Sequence, residues 1–208
     1  MVRDVFMRWY HAYRLLVQNV LRLQEEDGVT IELTSDLYSN LGHLHTLDKW
    51  VIGEVQSLVG FVRTEMEAYR LHSVAPRLVV FIRDLSNVYV RLSLARFKAK
   101  DVAALKSLGA VLLTLCTAMA PFTPFFADSL YQNLRHFLPV TAREDSVHYL
   151  PYPSPVESVR DPVAERRVQR MLKVLDLAVL CRERRAQPLR HVCFFLPVLF
   201  PVSDLIMI

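Results

Sequence analysis

Glycine is scarce in this chain, with 5 in 208 residues. Phosphate-cradling loops and doubly wound sheets set glycines at tight turns, and neither GxGxxG nor GxxxxGK(S/T) occurs. A nucleotide-binding fold therefore has no support. Cysteine is sparser still: Cys116, Cys181 and Cys193 are odd in number, far apart and without histidines at ligand spacing. That pattern argues against a disulfide framework or a zinc site and fits a reducing compartment. An extreme of charge is also missing. The formal net charge of +4 permits a polyanionic partner without demanding one. Arg3, Asp4, Arg8 and Arg14 interrupt the first twenty residues, so no signal-peptide core is expected. Between Lys106 and Asp128 charge is absent altogether. That run is long enough to span a bilayer. However, Thr114, Thr117 and Thr123 dilute it, and Pro121 and Pro124 split it. It reads as a buried helix ending near Ala120, with Leu113 among its core residues.

What is present is helical rhythm. Hydrophobic residues make up 52% and charged residues 22%, as in a globular protein. Met1 to about Glu26 has few breakers, and Gly28 is a natural stop. Residues 29–45 are polar and irregular. A second helix is expected from Thr46 as N-cap, with Asp48 near the positive end of its dipole. Its apolar residues, among them Leu47, Val51, Val55, Leu58 and Val62, recur at steps of three and four. A third helix is expected to follow Pro76, tolerated in a first turn, and to run to about Lys98. Asp101 caps a fourth, reaching Ala120. The fifth spans roughly Ala127 to Phe137. "HYLPYPSP" is a proline-rich connector, and Asp161-Pro162 opens a last helix. Val168, Met171, Leu175 and Val179 should line the inner side of that helix. The expected fold is all-α, a bundle of about six helices over residues 1–150. A linker and C-terminal helix take up 151–190, and 191–208 form an apolar tail without periodicity.

No catalytic constellation is legible, and the seven histidines form no ligand pair at i, i+4. The carboxylates Glu25 and Glu26 sit at a helix end and read as a solvated face. Two basic clusters stand out. "NVYVRLSLARFKAK" holds Tyr89, Arg91, Arg96, Lys98 and Lys100 with no acid until Asp101. Arginine grips phosphate with two hydrogen bonds and stacks on bases, and a tyrosine nearby adds a stacking surface. "CRERRAQPLR" crowds Arg182, Arg184, Arg185 and Arg190 at a helix end. Either cluster can also be a solvated helix face.

The order of motifs adds to this. "TLDKWVIGEVQSLVGFV", "APRLVVFIRDLSNVYVR", "LCTAMAPFTPFFADSLYQNL" and "SVHYLPYP" occur in succession. In this order they resemble the "LDRW", "L(S/T)NWYVR", "MAPFTPF" and "S(V/I)H" motifs of the helical anticodon-binding domain of class I aminoacyl-tRNA synthetases. "WYHAYRLLVQNVLRL", "EMEAYRLHSVAPRLVVF", "LYQNL" and "RERRAQPLR" are most similar to the eukaryotic cytosolic isoleucyl type. The likeness covers about residues 1–190. There are departures. Val88 stands where the family has tryptophan, and "LSLARFK" thins the family's arginine-rich run. The ATP-binding HIGH and KMSKS sequences, the Rossmann core and the editing domain are absent, and the tail beyond about Arg190 does not resemble the family.

The resemblance implies a cytoplasmic module that binds the anticodon stem-loop of isoleucine-type tRNA, with no catalytic or metal residues of its own. ATP and magnesium would belong to the intact parent isoleucine–tRNA ligase only. Arg8, His11 and Arg14, about one turn apart on the first helix, and Tyr89, Arg91, Arg96 and Lys98 are the expected RNA-binding residues; Tyr89 is either a stacking surface or core, and the alternative for Arg91 is an acid partner inside the bundle. The alternative is a non-catalytic protein-interaction fragment, docking on other synthetases, or a truncated remnant without RNA binding. No membrane partner is expected.

Overall fold

A computed structural model describes residues 5–33 and 41–184. Among them every regular element is helical: α1 (Met7–Asp27), α2 (Thr46–Glu67), α3 (Leu71–Asp84), α4 (Arg91–Lys98), α5 (Val102–Met119), α6 (Pro124–Leu134) and α7 (Pro162–Arg184). A π-helical segment, Leu85–Val90, joins α3 and α4 into one rod, which makes six rods in all. The chain divides into two compact units after Asp161. The connector at 151–161 therefore belongs with the bundle. The Val156 amide donates to Gln56 Oε1 at 3.0 Å, and Arg63 Nη1 donates to Ser154 Oγ at 2.7 Å.

Local chemistry fixes the helix ends. Gly28 adopts φ 67° and its amide reaches Gln24 O, the left-handed stop that glycine alone takes without strain. Asp101 accepts the amides of Ala103 and Ala104 at 3.0 and 3.2 Å, as an N-cap should. The cap of α2 is His45, one residue before the expected Thr46: its Nδ1 accepts the Leu47 amide at 3.2 Å. The third helix begins at Leu71, which leaves Pro76 inside it. The early start has a visible cause. Glu65 takes two hydrogen bonds from Arg70 and one from Ser73, closing the α2–α3 turn ahead of the proline. The fifth helix starts three residues early, with Pro124 in its first turn.

α5 is the central rod and packs against α1, α2, α4 and α6. Its composition would suit a membrane, but 72% of it is buried inside the bundle. Leu105, Leu108, Val111, Leu112 and Leu115 are fully enclosed, whereas Leu113 is only half-buried. At the start of α1, Phe126 meets Phe6 and Trp9 edge-on, with centroids 5.0 and 5.2 Å apart. The last helix departs from expectation. Val168 is buried, but Leu175 and Val179 are exposed, so an inner face does not extend along its length. Arg185, Arg190 and the apolar tail lie outside the described residues.

Candidate nucleic-acid interface

α1 lies alongside the π segment and α4, the two running in the same direction. Arg8 Nη1 donates to Asn87 Oδ1 at 2.9 Å near one end, and Arg22 Nη2 donates to Lys98 O at 2.6 Å near the other. Lys100 closes the far end on Glu26 and Asp27, at 2.6 and 2.7 Å. The two basic regions picked out in the sequence are thus neighbours in space. Their residues divide into two groups.

The inner group is a clamp around a buried carboxylate. Arg96 Nη1 and Nη2 donate to the two Asp48 oxygens at 3.0 and 2.6 Å, while its Nε donates to Asp101 Oδ2 at 2.9 Å. Tyr89 is fully enclosed, and its hydroxyl donates to Asp48 Oδ1 at 2.7 Å. Asp48 itself has no exposure. Burial works against the Arg96 charge, but Asp48 and then Asp101 outweigh it and hold the guanidinium above the usual arginine range. Burial first, then the neighbouring Asp48 carboxylate, push Tyr89 well above the ordinary tyrosine range and keep its hydroxyl a neutral donor. The expected roles of two residues are corrected here. Tyr89 cannot stack on a base, because its ring has no open face. Arg96 is committed to two carboxylates and ties α4 to the start of α2.

The outer group is open. Arg14, Arg91 and Lys98 are exposed, and the side chain of none makes an ion pair or hydrogen bond among the described residues. Among the described residues of Met1–Asp161, every other exposed arginine is held by a carboxylate, as Arg63 is by Glu67 and Arg70 by Glu65. His11 is exposed between Arg8 and Arg14. Arg8 is half-buried and partly occupied by Asn87, so it serves the seam between the helices. Successive α-helical residues turn by about 100°. Arg8 thus faces the π segment and Arg14 faces outward, with His11 between them.

Two features escaped the sequence reading. The π segment has no composition signature, yet it sets Asn87 outside and Tyr89 inside. The second is Tyr10, exposed and in ring contact with Tyr13 and His11. Its position on the polar side of α1, one turn before Arg14, was the available signal.

Residues 48–187 match the family described as the anticodon-binding domain of tRNA ligase. The chain is 45% identical over 208 residues to the cytoplasmic isoleucine–tRNA ligase of Arabidopsis thaliana, covering 98% of this chain and 17% of that one. It is 43% identical over 195 residues to the corresponding protein of Dictyostelium discoideum (91% and 18%). With that of Mus musculus it shares 40% over 206 residues (91% and 16%). The chain thus spans less than a fifth of the length of these curated relatives.

Proposed function

Since the chain belongs to the family of anticodon-binding domains of tRNA ligases, we propose that it is the tRNA-binding part of a cytoplasmic isoleucine–tRNA ligase, with isoleucine-type tRNA as its ligand. In the intact protein the bundle would hold the tRNA while a separate catalytic region attaches isoleucine with ATP and magnesium. One observation carries the site. Among the described residues of the bundle, the exposed lysine and arginines without a carboxylate partner, Arg14, Arg91 and Lys98, sit on the two helices that run side by side. A cation left unpaired at a surface is free to replace a counterion on phosphate, and that exchange makes affinity fall with salt. His11, exposed on α1 between Arg8 and Arg14, completes the proposed contact set, while Arg8 braces it from below.

The test is a salt titration of the purified chain against an isoleucine-type tRNA transcript. Arg14→Ala, Arg91→Ala and Lys98→Ala should each flatten the slope of log affinity against log salt by roughly 0.9 per lost contact. Their melting midpoints should stay near that of the parent, because surface substitutions of this kind cost within about 0.5 kcal/mol. A slope that none of the three changes would overturn the assignment. A second reading, a protein-docking fragment, draws on Leu175, Leu177 and Leu180, exposed at 48%, 57% and 48%. The same titration separates the two, since a docking fragment without an RNA site shows no salt-dependent tRNA affinity.

A further inference from the structure

The exposed face of α1 carries more than charge. Tyr10 is 40% exposed although the core side of that turn is already filled by Trp9 and Ala12, both buried. Packing therefore does not require an aromatic at this position. The ring is nevertheless held. It lies 5.9 Å from the Tyr13 ring at 41° and 6.3 Å from the His11 ring at 58°. Tyr13 is half-buried. Tyr10 thus rests against a half-buried neighbour and turns its remaining surface to solvent. Arg14, one turn on, has no partner among the described residues, and α1 carries no acid before Glu25.

An aromatic ring braced on one side, open on the other and flanked by a free guanidinium has the composition of a site for an unpaired base. The ring supplies a sequence-tolerant stacking surface and the cation holds the adjoining phosphate. Bracing lowers the ordering cost of binding. We infer that Tyr10, supported by Tyr13 and set beside His11 and Arg14, is the platform on which one unpaired base of the bound RNA stacks. The inference rests on the RNA-binding reading above and gives it a contact that charge alone does not provide. It also fills the place that the buried Tyr89 cannot take.

Stacking and phosphate contact leave different traces in a salt titration. Tyr10→Ala should weaken binding of the tRNA transcript by roughly 5- to 150-fold, the usual range for one lost base–aromatic stack. The salt slope should not change, because no counterion is involved. Tyr10→Phe keeps the ring and should bind within about 3-fold of the parent, whereas Tyr10→Leu, which keeps apolar area but no π face, should fall with the alanine variant. Transcripts with one abasic nucleotide scanned through the anticodon loop locate the base. At one position the abasic change and Tyr10→Ala should be no worse together than either is alone.

Three outcomes would overturn the platform. They are Tyr10→Ala binding within about 2-fold of the parent, Tyr10→Leu binding as well as Tyr10→Phe, and additive losses at every loop position. The two readings fail separately. If Arg14→Ala and Arg91→Ala flatten the slope while Tyr10→Ala has no effect, RNA binding stands and the platform falls. If neither arginine variant affects a salt slope, the RNA reading itself falls. Melting midpoints of all three Tyr10 variants should match the parent. If Tyr10→Leu lost affinity only in step with its melting midpoint, Tyr10 would be a packing residue.

Discussion

Arg96 and Arg91 stand five residues apart in the same basic stretch, yet the bundle gives them opposite work. Arg96 points inward to Asp48 and Asp101, and Arg91 points outward to no partner among the described residues. The sequence around them is nearly uniform, so the difference does not come from the neighbours in the chain. It comes from helical phase and from two carboxylates supplied elsewhere, one at the start of α2 and one at the cap of α5. A guanidinium beside a buried carboxylate is structural. The same group on the far side of the helix is free for a ligand. Counting basic residues in a stretch cannot separate these roles, because it records composition and not direction.

The sharpest way to break the comparison is to remove the inner charge. Arg96→Ala leaves the Asp48 carboxylate buried with only the Tyr89 hydroxyl to satisfy it. Breaking a buried pair in this way costs about 3–5 kcal/mol, since the remaining charge is neither solvated nor paired. Urea denaturation should show a loss of that size, and the salt slope of tRNA binding should be unchanged in the protein that stays folded. A small stability change joined to a flattened slope would place Arg96 with Arg91 on the outer face.

Much of this architecture was legible in the sequence, and the failures share a cause. Gly28 and Asp101 act through bonds to residues within four positions, so their signals are local, and they and the Asp161-Pro162 pair stop or start helices where expected. Periodicity found the stripe of α2, because burial there follows one face of a regular helix. The errors arose where a distant partner decides the outcome. The local sequence leaves Tyr89 either a stacking surface or core, and Asp48, 41 residues away, decides for core by accepting its hydroxyl. Leu175 and Val179 have the spacing of a buried stripe, but spacing alone does not supply an opposing surface. The π segment shifts helical phase by a fraction of a turn, which periodicity assumes not to happen.

The apolar rod offers a second comparison, between adjacent leucines. Leu112 is fully enclosed and Leu113, one residue on, is only half-buried. Leu112→Ala should cost about 2–5 kcal/mol, because it removes buried methyls and leaves a cavity that close-packed neighbours fill only partly. Leu113→Ala should cost less, as its site can admit water or collapse. Thermal or urea unfolding of both variants checks the order. Equal losses, or the larger loss at Leu113, would mean that α5 is rotated from the phase described.

The smallest expected effect tests the clamp through its proton. Tyr89→Phe removes the hydroxyl that donates to Asp48 Oδ1 but leaves both Arg96 bonds in place, so the cost at neutral pH should be about 1–3 kcal/mol. The pH dependence adds a signature of its own. Burial and the Asp48 carboxylate raise Tyr89 in the folded state above its unfolded value near 10. A group raised on folding gives stability that is fully present below the unfolded value and is lost as pH rises through the folded one. Tyr152, pushed up to about 12 by burial, and Tyr13, raised by burial, have the same sign. The parent protein should therefore hold its stability up to about pH 10 and then lose it steeply. The phenylalanine variant lacks one of these titrating groups. It should start lower at pH 8 and fall less steeply above pH 10, so that the two curves converge. Parallel curves across that range would show that the Tyr89 hydroxyl is not the buried neutral donor that the Asp48 contact requires.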